Sequence, residues 1–212
     1  MLISDLQRGP SETVVADLRD YPQWHRQRYR YGVWTIPVED PVLLHYISRA
    51  RRQLADLLHP SEQRQPHLTL FVCGFEQPTC VAADDFSPAQ LSEQLESLTS
   101  LPDGGCALPL RAPDSFASAA FIPVVDPLGR LTRWRGALAV AAHEVRQSSY
   151  VPHITLGLYQ RKAGADEVRQ RLGEIEAPAM SLQVSELRYV TYDARQHFGP
   201  LETQRVVRLK LG

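Results

Sequence analysis

The chain has 212 residues, 43% of them hydrophobic and 22% charged, which suits one large domain with a core that needs no staples. A net charge of −1 argues against wrapping long nucleic acid, which calls for a clear basic excess. A small anion or one RNA end needs only a local patch, and the basic residues are nearly all Arg, with Lys only at Lys162 and Lys210.

Taken in chain order, residues 1–28 read as an N-terminal extension, with a short helix expected after Ser11, over Glu12–Arg19, and a stop at Pro22. The domain proper spans 29–212. Tyr31–Val38 is rich in β-branched and aromatic residues and predicts a strand. Leu43, Leu44, Ile47, Ala50, Leu54 and Leu58 recur at helical spacing and predict a helix from Pro41. A dense strand follows over Pro66–Gly74, then a helix capped near Ser87 and running to Leu98. Strands are expected at Leu108–Leu110 and Ser118–Val125, and a helix over Leu128–Val145. Tyr150–Tyr159 predicts another dense strand, and Ala165–Ile175 a further helix. Ser181–Tyr192 and Val206–Leu211 close the chain as strands. Strands and helices alternate throughout, which predicts a layered α/β or α+β architecture.

Cys73, Cys80 and Cys106 are odd in number and form no Cys-x-x-Cys. They predict neither a disulfide framework nor a zinc knuckle, and fit a reducing, cytoplasmic setting. No segment has the length and apolarity of a signal peptide or membrane span, so no membrane partner is expected.

The most informative feature is an internal echo. Pro66-His67-Leu68-Thr69-Leu70 returns as Pro152-His153-Ile154-Thr155-Leu156, each copy entering a predicted strand. In a strand, residues i and i+2 share a face. His67 therefore projects with Thr69, and His153 with Thr155, while the aliphatic residues face a core. Two such strands meeting at a cleft offer two imidazoles and two hydroxyls. A neutral imidazole takes a proton, an imidazolium gives one, and the hydroxyls bind non-bridging phosphate oxygens. Such a set cleaves a phosphodiester without a metal or other cofactor. No His-Glu-x-x-His, P-loop or Gly-x-Ser-x-Gly motif competes with it.

With these motifs, His67-Leu-Thr-Leu and His153-Ile-Thr-Leu, the chain resembles the 2H phosphoesterase superfamily over about residues 29–212. The resemblance implies an α+β, duplicated two-lobe fold, with antiparallel sheets facing a central cleft and helices outside. It implies hydrolysis of 2′,3′-cyclic phosphodiesters of nucleotides or RNA ends. His67 and His153 would be the acid–base pair, and Thr69 and Thr155 the phosphate-binding residues. Alternatives are a 2′-5′ RNA ligase or 2′-5′ phosphodiesterase, and a non-catalytic nucleotide-binding module. A small nucleotide or RNA-end substrate and a monomeric state are expected.

Aromatic candidates for substrate binding follow from strand alternation. Phe71 should share a face with Thr69, and Tyr159 with Thr155 and Gly157, ready to stack on a base. Trp34 on the first strand is a further candidate, although aromatic residues dominate cores. Phe116, in the polar stretch Asp114-Ser-Phe-Ala-Ser, is a candidate wall of the cleft.

Overall fold

A computed structural model describes residues 2–60, 63–146, 148–196 and 198–210. In chain order the elements are α1 (Pro22–His25), β1 (Arg30–Pro37), α2 (Pro41–Gln53), β2 (His67–Glu76), β3 (Asp85–Phe86), α3 (Pro88–Ser100) and β4 (Cys106–Pro109). They continue with β5 (Asp114–Ser115), β6 (Ala119–Pro123), α4 (Arg130–Ala139), β7 (His153–Leu158), α5 (Ala165–Gly173), β8 (Ser181–Val184), β9 (Glu186–Asp193) and β10 (Glu202–Arg208). The expected Ser181–Tyr192 strand breaks at Ser185, and its halves join different sheets. The expected final strand starts earlier than Val206 and ends at Arg208; residue 211 lies outside the described residues.

The architecture is mixed α and β with antiparallel sheets. The main sheet has eight strands in the order β10-β9-β1-β2-β7-β6-β5, with β3 paired to β2, while β4 and β8 form a separate ribbon. Instead of two separate sheets, two halves meet in one. The junction is thin, since β2 and β7 share one registered pair, Leu68 with Ile154.

The halves echo each other more deeply than the histidine motifs alone. Ile36-Pro37-Val38-Glu39-Asp40-Pro41 leaves β1, and Ile122-Pro123-Val124-Val125-Asp126-Pro127 leaves β6. The offset is 122 − 36 = 86, identical to 153 − 67 = 86 between the histidines. The two segments play equivalent parts. Pro37 lies opposite His67 and Pro123 opposite His153. Val38 N–H donates to the Pro66 carbonyl at 3.1 Å, and Val124 N–H to the Pro152 carbonyl at 3.0 Å. Asp40 accepts from the Val42 and Leu43 amides at the start of α2, and Asp126 accepts from the Arg130 amide at the start of α4. Each acidic side chain satisfies amides that a helix start leaves unpaired. A β-α-β unit is thus present twice.

Helices α2, α3 and α4 cover one face of the sheet, α2 packing on β7, α4 on β2, and α3 on α4. The principal core lies between, where Ile36, Leu68, Ile122 and Ile154 meet Ile47, Trp134, Leu138 and Val168. A smaller cluster of Tyr31, Val33, Phe75 and Val190 lies on the opposite face of the first half, where Trp24 of α1 packs against it.

The expected helix over Glu12–Arg19 is absent, because the segment runs extended. Thr13, Val14 and Val15 are β-branched and favour that state. Their neighbours supply bonds a helix would have made internally: Thr13 N–H donates to Ala163 O, Val14 to Ala117 O, and Ala16 to Tyr159 O. The Ser11 carbonyl in turn accepts from the Ala165 amide at the start of α5, and Ile3 is fully buried. The early part of the N-terminal extension, residues 3–16, is therefore packed on the second half of the chain, while α1 packs on the first.

Candidate active site

The Leu68–Ile154 pair fixes the geometry of the site. Both side chains point into the core with no exposed surface, so the flanking residues project from the other face. One antiparallel step either side sets His67 beside Thr155 and Thr69 beside His153. All four are half-buried. Each histidine of one motif thus neighbours the threonine of the other, and His67 and Thr155 line one small cavity with Arg51, Arg64 and Phe198.

The two rings are held in the same way. Nδ1 of His67 lies 2.8 Å from the Gln65 carbonyl, and Nδ1 of His153 lies 2.6 Å from the Val151 carbonyl. A carbonyl only accepts, so Nδ1 carries the proton and Nε2 of the neutral ring is the acceptor. Each bond reaches two residues back along its own chain, fixing ring and tautomer together.

Burial is the main influence on both rings, and it favours the neutral form. His67 is pushed down to about 4 by desolvation, against the Gln65 bond, with the charges of Arg64, His153 and Arg51 adding to the depression. His153 is lowered by desolvation, and Arg146 adds to it.

On the side of His153 lies a cleft of about 610 Å³, lined by Phe116, Ser118, Arg146, Ser148 and Ser149, with Leu2 and Pro10 from the N-terminal extension. Phe116 stacks on Phe121 at 4.3 Å and meets the His153 ring edge-on at 5.2 Å. It forms a wall of the cleft.

The other aromatic candidates are core residues, and their assignment to substrate is corrected. Trp34 is fully buried and donates from Nε1 to Gln94 Oε1 at 2.8 Å. Phe71 and Tyr159 are each 1% exposed, and the Tyr159 hydroxyl bonds Ser115 Oγ at 2.7 Å. The cause is a β-bulge in each motif strand. Thr35 pairs with Thr69 and Trp34 with Phe71, leaving out Leu70; Phe121 pairs with Thr155 and Ala120 with Gly157, leaving out Leu156. One extra residue reverses the alternation beyond it. Val72 and Leu158 therefore take the faces expected for Phe71 and Tyr159.

Arg64 and Arg146 are functional candidates that motif reading passed over. One lines the cavity of His67 and the other the cleft of His153. Their signal in the sequence is an Arg-Gln step ahead of each motif, at 64–65 and 146–147. Among the described residues, no three His, Cys, Asp or Glu side chains gather into a group able to hold a metal ion. No helix among them is long and apolar enough to cross a membrane.

Paired His-x-Thr-x strands at the centre of a duplicated α and β fold define a 2H phosphoesterase. The 2′-5′ RNA ligase superfamily matches over residues 38–196, and the chain belongs to that family. No curated protein matches it. Among solved structures, E. coli LigT complexed with 3′-AMP is 15% identical with a TM-score of 0.55, covering 86% of this chain and 99% of that one. A conserved protein of unknown function from Agrobacterium tumefaciens, ATU0111, is 12% identical with a TM-score of 0.58, covering 84% and 86%. Kluyveromyces marxianus Usb1 is 15% identical with a TM-score of 0.50, covering 87% and 98%. At these identities the likeness is one of fold.

Proposed function

We propose that this phosphoesterase hydrolyses 2′,3′-cyclic phosphodiesters of nucleotides or RNA ends, without a metal, by acid–base catalysis from His67 and His153. The observation that carries the reading is the matched tethering of the two rings, each with Nδ1 on a carbonyl and Nε2 left as the working atom. His67, the more depressed ring, is the base. Its Nε2 takes a proton from water as the water oxygen bonds to phosphorus. His153, as imidazolium, protonates the departing ribose oxygen as the phosphorus–oxygen bond breaks. The Thr69 and Thr155 hydroxyls donate to non-bridging oxygens, and Arg64 and Arg146 offset the charge of the bound anion. Phe116 offers a face to the base. LigT has been crystallised with 3′-AMP, NADP+ and ATP, which supports a small nucleotide ligand.

The reaction is tested by turnover of the four 2′,3′-cyclic nucleoside monophosphates, with products read by phosphorus NMR. The expected product is the 2′-phosphate. A 3′-phosphate would overturn the regiochemistry, and no turnover of cyclic nucleotides or cyclic-phosphate RNA ends would overturn the function.

A pH profile follows from the ring environments. The productive free enzyme has His67 neutral and His153 charged. His67 becomes neutral above about 4. His153, lowered from 6.5, loses its proton below that value. The bell in kcat/KM therefore peaks on the acid side of 6.5. A bound phosphodiester anion favours imidazolium, so the basic limb of kcat lies at higher pH than that of kcat/KM. Limbs that coincide above pH 7 would contradict these environments.

A 2′-5′ phosphodiesterase or ligase acting on RNA is a second reading. It is favoured by a groove of about 650 Å³ lined by Arg51, Arg52 and His59, which shares Arg51, Pro66 and Leu156 with the cavity of His67. Steep loss of RNA affinity with salt supports it; a flat response counts against it.

A further inference from the structure

We infer that Arg51 and Arg135 are a crossed pair of positioning residues, each reaching from the helix of one half to fix the motif strand of the other. The inference rests on the two-histidine reading of the site. Arg51 lies on α2, between β1 and β2, yet its Nε donates to the Leu156 carbonyl of β7 at 2.8 Å and its Nη2 approaches the Thr155 carbonyl at 3.5 Å. Arg135 lies on α4, between β6 and β7, yet its Nη1 donates to the Leu70 carbonyl of β2 at 2.6 Å. Leu70 and Leu156 are equivalent, each the fourth residue of its motif.

They are also the two residues left out of register at the bulges. A bulge leaves a backbone group without its ladder partner, and a buried carbonyl needs one. Both leucine side chains are buried, at 0% and 1% exposure. Each arginine supplies the donor from across the junction. Each bulge follows directly on the threonine of its motif, so the bulge sets the aim of that hydroxyl. The preceding carbonyls are held from across the junction as well, Thr69 O by the Tyr150 hydroxyl at 3.2 Å and Thr155 O by Arg51. The Tyr150 ring is in turn covered by the Arg135 guanidinium at 3.7 Å.

The crossing matters because the strand pairing at the junction is short. With one registered pair, β2 and β7 have few backbone bonds to fix their relative position. The two arginines tie each half to the other on either side of that pair. Neither is assigned contact with substrate in this role. They hold in place the strands that carry the groups that do, as supporting residues of a preorganised site must. A displacement of about 1 Å at such a site costs on the order of 10²-fold in rate.

The test is steady-state kinetics of Arg51→Met, Arg51→Lys and the same pair at Arg135, beside Arg133→Met on the same helix as Arg135, where the Arg133 guanidinium pairs with Asp103 of the loop before β4. The expected result is a fall in kcat of roughly 10–100-fold for each Met variant, with KM little changed, partial recovery in each Lys variant, and no change for Arg133→Met. The imidazole Cε1–H resonance of His153 should move in Arg51→Lys, which keeps the positive charge near His67. If the Met variants do not fold, the Lys variants decide. Unchanged kcat per folded molecule together with an unmoved His153 resonance would overturn the inference. Should the wild type turn over none of the substrates, the proposed function fails, and the resonance alone decides whether the clasp shapes the site.

Discussion

His153→Ala is expected to lower kcat for a 2′,3′-cyclic nucleotide by about 10²–10⁴-fold, and His67→Ala by a comparable factor. Each ring is tethered through Nδ1 to its own chain. Alanine removes the proton donor or acceptor itself. The loss falls on the chemical step, because both side chains lie on the half-buried cleft face and the leucine and isoleucine of the same strands keep the core. Circular dichroism and the thermal midpoint should change little. The double variant should be little worse than the slower single variant, since groups acting in one proton-transfer scheme do not contribute independently. Single variants with a third or more of wild-type kcat would remove these residues from the chemistry.

Trp34→Ala is expected to destabilise the fold by about 3–5 kcal/mol. The indole is fully buried between β1 and the helices, and its Nε1 donates to Gln94 Oε1. Gln94 is fully buried too, and its Nε2 donates to the Leu138 carbonyl at 3.0 Å, tying α3 to α4. Truncation therefore opens a cavity and removes a partner from a buried amide. Chemical denaturation measures the loss. At a temperature where the variant remains folded, its KM for a cyclic nucleotide should match wild type. A stable variant with raised KM would return Trp34 to the substrate.

The histidine–threonine pairs were legible because the first residues of each strand alternate regularly, so His67 with Thr69 and His153 with Thr155 follow from i, i+2 spacing alone. That regular alternation ends one residue later. A bulge at Leu70 or Leu156 has no distinctive local composition, since leucine fits a strand with or without an extra residue. What makes each bulge tenable is a guanidinium delivered from the helix of the other half, Arg51 lying 105 residues before Leu156 (156 − 51) and Arg135 lying 65 residues after Leu70 (135 − 70). For that reason i, i+2 spacing puts Phe71 and Tyr159 on the wrong face. The six-residue echo beginning at Ile36 and Ile122 was present in the sequence, and its shared offset of 86 would have identified the whole β-α-β duplication. The extended course of Thr13–Ala16 depends on bonding partners some 100 to 150 residues away, beyond the reach of local capping signals.

Phosphodiester cleavage by two histidines needs no metal. It is tested most directly by turnover of a 2′,3′-cyclic nucleotide after exhaustive dialysis against EDTA, assayed with the chelator present. The expected result is that kcat is retained in full and that added Mg²⁺, Mn²⁺ or Zn²⁺ does not raise it. Activity lost on chelation and restored by one of these ions would contradict it.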